Sequence, residues 1–178
     1  MSPAAGGHTA TSCRIRLATA DDARAVAGIY NQGIEERAAT FETEPRSAAA
    51  MAQRIGEDPA RYPVLVAEAQ GQVLGWASLG TYRPRTCYAG IAEFSVYIER
   101  AARGRGVGRA LLASLITEAG NRGYWKLLSR VFPFNAGSLA LCRALGFREV
   151  GTYERHGCLD GRWLDVVIVE RLIPGNQP

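Results

Sequence analysis

The chain has 178 residues, of which 47% are hydrophobic and 21% are charged. This length and composition are typical of one globular domain, and they exclude a wholly disordered or fibrous protein. No run reaches the ~18 consecutive apolar residues of a membrane span, and the net charge of +4 fits a polyanionic small ligand at least as well as nucleic acid.

The first half of the chain is predicted to contain two helices and three strands. A polar–apolar alternation over residues 13–17 indicates a first strand. A helix is predicted from about Ala20 to Gly33, and a second begins after the Ser47 cap and ends near Gly56. Strands over residues 64–68 and 73–79 then form a hairpin around a tight turn.

The second half alternates strands and helices. A strand over residues 91–98 leads into a glycine-rich turn and a helix with leucines on one face. The elements that follow are a strand over 127–131, a helix that starts at Asn135 or Ser138 and ends at Gly146, and two strands over about 147–154 and 163–170. This order predicts an α+β sheet with helices on its faces.

We expect one domain over residues 13–173 and a flexible tail over residues 1–12, which has no apolar segment of a secretory signal. Four cysteines, Cys13, Cys87, Cys142 and Cys158, are too few and too scattered for a disulfide framework or a C-x-x-C motif. With only two histidines, no metal site is predicted. The expected location is the cytoplasm, where cysteines stay reduced.

The strongest local motif is a glycine-rich turn between a predicted strand and helix. It consists of Arg103, Gly104, Arg105, Gly106, Val107, Gly108 and Arg109. Glycines allow a sharp turn that exposes backbone N–H groups, and the helix N-terminus adds a positive field, so the turn suits a pyrophosphate. The alternative is a solvated basic turn. A P-loop is excluded because G-x-x-x-x-G-K-[ST] is missing, and the mid-chain position argues against a Rossmann site.

The pattern Arg103-x-x-Gly106-x-Gly108 resembles the acetyl-coenzyme A (acetyl-CoA) loop of the GCN5-related N-acetyltransferases, and the order of elements is similar from about Ile15 to Leu172. The similarity narrows to the phosphinothricin acetyltransferase branch through residues 29–31, 40–41, 61–63, 66–68, 92–97 and Gly161-x-Trp163-x-Asp165-Val166. Residues 82–85 and 129–135 look most like arsinothricin N-acetyltransferases. The resemblance implies a mixed, mostly antiparallel sheet of about seven strands with helices on both faces, an acetyl-CoA cleft between splayed strands, and a homodimer.

The resemblance also implies which residues bind acetyl-CoA. The pantetheine arm would lie along Ser95, Val96, Tyr97 and Ile98, and the pyrophosphate on residues 103–108 with Arg109 nearby. Asn135 and Ser138 would contact the cofactor arm. Val96 and Ile98 are equally suited to the core, and Asn135 can simply cap its helix.

Acetyl transfer to an amine needs a base, because the amine is protonated at neutral pH. Glu93 is the candidate, since it lies in an apolar strand where desolvation would raise its pKa; the alternative is a solvent-facing or salt-bridged glutamate. A backbone N–H near Val96 or Tyr97 is the expected oxyanion donor. Cys142 occupies the position of a tyrosine general acid in many relatives. It can donate a proton or serve as a small core residue, and the core interpretation is favoured.

Arg83 and Arg85 flank Pro84 and are candidates to bind an acidic substrate, because guanidinium forks bind carboxylate or phosphinate groups through two hydrogen bonds. The alternative is two exposed surface arginines. Phe41 is a candidate aromatic wall of the substrate pocket, or plain core. Weaker substrate candidates are Tyr30, Tyr88 and His156, and the alternative for the lone His156 is a structural or exposed histidine.

The resemblance therefore implies an N-acetyltransferase that moves the acetyl group of acetyl-CoA to the α-amine of arsinothricin or phosphinothricin, by direct transfer in a ternary complex, and so detoxifies it. Methionine sulfone or sulfoximine is an alternative acceptor, and a CoA-binding regulatory module an alternative class. A nucleic-acid module built on Arg100, Arg103, Arg105 and Arg109 is disfavoured because no aromatic residue interleaves with these arginines. Neither nucleic acid nor membrane is an expected partner.

Overall fold

The structure is a computed structural model that describes residues 12–176 of the chain. Of the predicted tail, residues 1–11 lie outside the described residues. The strands are β1 (Arg14–Leu17), β2 (Val64–Ala69), β3 (Gln72–Thr81), β4 (Ile91–Ile98), β5 (Lys126–Val131), β6 (Arg148–Leu159) and β7 (Arg162–Leu172). The α-helices are α1 (Ala23–Glu35), α2 (Ala48–Gly56), α3 (Val107–Asn121) and α4 (Ala136–Ala144). None of the described helices is long and apolar enough to cross a membrane.

The strands form one seven-stranded sheet in the order β1-β2-β3-β4-β5-β7-β6. Neighbouring strands run antiparallel, except that β4 and β5 run parallel. The predicted mixed, mostly antiparallel α+β sheet is therefore confirmed.

Helices cover both faces of this sheet because successive strand residues point to opposite sides. On β2, Val64 and Val66 pack in a core with α1 and α2. Leu65 and Ala67 alternate with them and pack in the opposite core, to which α3 contributes its leucines. The two cores hold β4 between them from both faces.

The parallel pairing between β4 and β5 is short. It joins Ile91 to Lys126, Ala92 to Leu127 and Glu93 to Leu128, and it begins where the Trp125 N–H donates to the Gly90 carbonyl at 2.8 Å. Beyond Glu93, β4 continues to Ile98 paired with β3 alone. The two central strands therefore diverge after Glu93, as the family resemblance implies.

The last hairpin is longer than predicted, since β6 runs from Arg148 to Leu159. Its pairing with β7 shifts register between Tyr153 and Gly157. Arg155 has a φ of 46° there, and its N–H donates to Asp165 Oδ1 at 2.7 Å. This bulge interrupts the alternation on which a strand prediction depends, which explains why the prediction ended near Glu154.

Replacing Gly90 by alanine is expected to weaken the start of the β4–β5 pair. A Cβ at Gly90 would lie only 1.9 Å from Trp125 Cε3, so the indole must move, at a cost of about 1–3 kcal/mol in the free energy of unfolding. Urea unfolding measures this loss.

Gly28→Ala is the matched control, since a Cβ at Gly28 in α1 meets nothing within 4 Å. That variant should be neutral or more stable, by up to about 1 kcal/mol, because alanine is the better helix former. Equal stability of the two variants would contradict the tight Gly90–Trp125 contact.

Candidate active site

A cleft of about 680 Å³ opens where β4 and β5 part. Its walls come from β4, β5, the segment after α1, the first turns of α4, and the β6 bulge. The residues that line it include Tyr30, Phe41, Glu93, Ser95, Val96, Tyr97, Arg130, Asn135, Ser138, Cys142 and His156. Most residues predicted for catalysis and for the cofactor arm therefore lie around one cavity.

After Glu93, the edge of β4 that faces this cleft is no longer paired with β5 in the described residues. In a sheet, a central strand uses its backbone groups alternately toward its two neighbours, and among the described residues β4 has no β5 partner after Glu93. Ser95, Val96 and Tyr97 line the cleft, whereas Ile98 lies against the core of α3. An extended arm laid along this edge would find free N–H and C=O groups, which is what a pantetheine chain with two amides needs.

Tyr97 is held rigidly in the cleft wall. Its ring stacks on Trp76 with centroids 4.9 Å apart and meets Tyr30 edge-on at 4.8 Å. Burial raises the pKa of the Tyr97 phenol above its usual value, and the neighbouring Tyr30 adds to the effect. Tyr97 therefore stays protonated at neutral pH and serves as an aromatic wall.

The glycine-rich turn has the conformation that the motif predicts. Gly104 and Gly106 have φ angles of 71° and 85°, in the left-handed region that side chains disfavour. Gly106 caps α3, so the next N–H groups have no partner within the helix. Arg105 and Arg109 are exposed beside them, with no carboxylate at salt-bridge distance in the described part of the chain. This donor set fits a diphosphate.

The Arg103 side chain is engaged elsewhere. Its Nη1 pairs with Glu36 Oε2 at 2.8 Å, and Arg100 Nε pairs with the other oxygen at 2.7 Å. Burial alone would raise the pKa of Glu36, but the two arginines lower it below its ordinary value. Arg103 thus braces the turn against the end of α1, and contact of residue 103 with a pyrophosphate stays a prediction.

Asn135 is both a helix cap and a cleft residue. α4 starts at Ala136, and Asn135 Oδ1 accepts from the Ser138 N–H at 3.1 Å. Its Nδ2 donates to the Ala38 carbonyl at 3.0 Å. The structure therefore selects Asn135 as the helix start over Ser138, and the capping alternative is realised; contact with the cofactor stays a prediction.

Glu93 is not in the apolar setting expected from the sequence. Arg130 Nη2 lies 2.5 Å from Glu93 Oε1 and 2.6 Å from Oε2, and 27% of the Glu93 side chain is exposed. Leu128 is the parallel partner of Glu93, so Arg130 follows on the same face. The salt-bridged alternative is therefore the one that the structure has, with the carboxylate held toward the cleft.

Cys142 is buried on α4 and packs in the α3 core. Burial raises the pKa of its thiol to about 11, with the nearby Glu149 as a further cause. A thiol that holds its proton more tightly than a free cysteine, whose pKa is ~8.5, is a poor acid toward another thiolate. This favours the core interpretation of Cys142.

The predicted substrate residues divide into two groups. Phe41 lines the cleft, meets Phe132 edge-on at 4.8 Å, and lies so close to Gly157 that a Cβ there would come within 2.7 Å of its ring. Tyr30 also lines the cleft, with its hydroxyl 3.3 Å from Thr40 Oγ1.

Arg83 and Arg85 do not line the cleft. Both are exposed in the loop before β4, and the Arg83 guanidinium lies over the rings of Tyr82 and Tyr88, at 5.2 and 5.9 Å from their centroids. Tyr88 is likewise outside the cleft, whereas the weakest candidate, His156, is brought into its wall by the β6 bulge.

Comparison with known proteins agrees with this geometry. Residues 15–168 match the family model of the acetyltransferase (GNAT) domain. The chain therefore belongs to the GNAT acetyltransferases and is an acetyl-CoA-dependent N-acetyltransferase.

Three relatives lie in the phosphinothricin branch or close to it. The chain is 37% identical to a phosphinothricin N-acetyltransferase of Alcaligenes faecalis, over 90% of this chain and 82% of that one. It is 36% identical to an L-methionine sulfoximine/L-methionine sulfone acetyltransferase of Pseudomonas paraeruginosa, over 89% and 94%. A phosphinothricin acetyltransferase from Sinorhizobium meliloti, solved in complex with acetyl-CoA, superposes with a TM-score of 0.85 at 34% identity, over 92% and 89%.

Proposed function

We propose that the protein transfers the acetyl group of acetyl-CoA to the α-amine of a small acidic amino acid, with phosphinothricin or arsinothricin as the acceptor. The observation that carries the proposal is the placement of Glu93 at the point where the open edge of β4 begins, inside the cleft of about 680 Å³. The names of the relatives from Alcaligenes faecalis and Sinorhizobium meliloti support the acceptor class.

Acetyl-CoA supplies the thioester when bound. The chain's own contribution is to hold it, through the N–H groups after Gly106 and the arginines Arg105 and Arg109, with the arm along residues 95–98 and Asn135 and Ser138 at its side. A β4 N–H near Val96 or Tyr97 then donates to the oxygen on which negative charge develops during attack.

Glu93 takes the proton of the acceptor ammonium, directly or through one water, so that the amine attacks within a single ternary complex. The C–S bond of the thioester then breaks, and coenzyme A leaves as a thiolate that takes its proton from solvent. The ion pair to Arg130 orients the carboxylate toward the cleft. Because the pair is partly exposed, solvent weakens it, and Glu93 remains available to a substrate ammonium.

The loop with Arg83 and Arg85 supplies contacts to an acid group of the acceptor. Gly80 is the Cα partner of Glu93 across β3 and β4. Arg83 follows Gly80 by three residues, so its backbone lies within about 11 Å of Gly80. Acetylation removes the positive charge of the acceptor amine, which supports a role in detoxifying amino-acid mimics.

Methionine sulfone or sulfoximine is the second candidate acceptor, and the name of the Pseudomonas paraeruginosa relative favours it. The nucleic-acid alternative loses support because Arg100 and Arg103 are paired with Glu36.

We also propose a homodimer formed through the last hairpin. The edge strand β6 and its partner β7 expose Tyr153 and Trp163, at 53% and 64% of their surface, and a second chain would cover them.

Glu93→Gln is expected to lower kcat about a hundredfold or more, because an amide cannot accept the proton. The residual rate should climb with pH, as solvent deprotonates more of the acceptor, while the Kd for coenzyme A stays unchanged. Steady-state kinetics between pH 6 and about pH 10, with calorimetry for binding, measure both. Glu57→Gln, an exposed residue after α2, is the control, and a wild-type pH profile in Glu93→Gln would exclude Glu93 as the base.

The substrate class is tested by thiol release from acetyl-CoA with a panel of acceptors. The panel is phosphinothricin, arsinothricin, methionine sulfoximine, methionine sulfone and glutamate. The proposal predicts the highest kcat/KM for phosphinothricin or arsinothricin, and a rise in KM for every acceptor in Arg83→Ala/Arg85→Ala, because each of these amino acids carries an α-carboxylate. Turnover of none of the amino acids would contradict the proposed function.

A further inference from the structure

A smaller chamber of about 290 Å³ adjoins the cleft on the α2 side of the sheet. It shares four wall residues with the cleft, namely Tyr30, Glu42, Ser95 and Tyr97. Its remaining walls are Arg46, Ala50, Met51, Arg54 and Trp76. We refer to it as the side chamber; the four shared residues place it directly beside the cleft.

The side chamber contains one cation that no carboxylate neutralises. Arg46 is paired with Glu42 at 2.5 Å. Arg54, by contrast, has no carboxylate at salt-bridge distance among residues 12–176. With one glutamate and two arginines in its walls, the side chamber carries a net positive charge suited to an anion.

The Arg54 guanidinium is turned inward from the exposed face of α2. Its Nη2 donates to Ser78 Oγ at 2.9 Å, and Ser78 is only 1% exposed. A guanidinium has five N–H donors, so one bond to a hydroxyl leaves most of them for another acceptor. In the same wall, the buried Trp76 Nε1–H also has no hydrogen-bond partner in the described chain.

The sheet register sets the direction from Glu93 to Arg54. Ser95 lies two residues after Glu93, on the same face of β4 and about 7 Å farther along. Ser78 is the Cα partner of Ser95 on β3, and Arg54 bonds to Ser78. An amino acid whose amine lies at Glu93 can therefore extend its side chain past Ser95 toward the guanidinium.

We propose that the side chamber is the subsite for the side-chain acid of the acceptor, with Arg54 as the residue that binds this carboxylate or phosphinate. This inference rests on the proposed function and assigns its acid specificity to a residue inside the site. The α-carboxylate of the acceptor is then left to the loop of Arg83 and Arg85. A guanidinium can bind a carboxylate or phosphinate through two charge-assisted hydrogen bonds, which are stronger than hydrogen bonds between neutral groups.

The test compares phosphinothricin with methionine sulfone, which ends in a neutral group. Arg54→Met, which keeps an unbranched apolar stem and removes the guanidinium with its charge, should lower kcat/KM for phosphinothricin about tenfold to a hundredfold, through KM. The value for methionine sulfone should change by less than about threefold. Arg54→Lys, which restores the charge but not the fork, should recover part of the preference for the acid.

Arg24→Met is the matched control, because Arg24 is exposed on α1 and lines neither cavity. Unchanged coenzyme A affinity in each variant establishes that it is folded. Equal losses of kcat/KM on both acceptors in Arg54→Met, or no loss on either, would overturn the assignment of Arg54. The same kcat/KM values in Arg54→Lys as in Arg54→Met would also contradict it. A wild-type protein that acetylates neither acceptor would instead overturn the proposed function itself.

Discussion

Strands β4 and β5 lie side by side at their first three residue pairs and then part, and the position of every site residue depends on where that pairing ends. Hydrophobic cores cover both faces of the sheet at this point, with α3 and α4 on one side and α1 and α2 on the other. Backbone groups that leave a ladder must find other partners or stay in water. The open edge of β4 is therefore a ready place for an extended, amide-containing arm, and Glu93 stands at its beginning.

The charges of the site follow a consistent arrangement. Arginines that meet a carboxylate fix the framework: Arg103 ties the turn to Glu36, and Arg130 orients Glu93. Arginines without such a partner in the described residues, such as Arg109 and Arg54, stand where an anion would bind, one beside the helix N-terminus and one in the side chamber. At these two positions, the lack of a carboxylate partner among the described residues leaves the guanidinium group available to a ligand.

The sequence predicted those parts of the site that are carried by neighbouring residues. The glycine-rich turn, the strand before it and Asn135 are local patterns, whose geometry depends on glycine conformations and on a helix cap. Arg130 was missed because it meets Glu93 only through the parallel register, 37 residues away along the chain. Glu36 and Arg54 were missed for the same reason: each acts across a distance that no periodicity encodes. The β6 bulge, which brings His156 to the cleft, breaks the period on which the prediction relies.

A crystal structure of the protein with coenzyme A tests the central claim most directly. The account predicts the diphosphate on the N–H groups at residues 104–109 and the pantetheine arm paired with the β4 backbone between Ser95 and Ile98, in the gap beside β5. A ligand bound elsewhere, or a β4–β5 ladder that continues closed to Ile98 with the cofactor excluded, would contradict it.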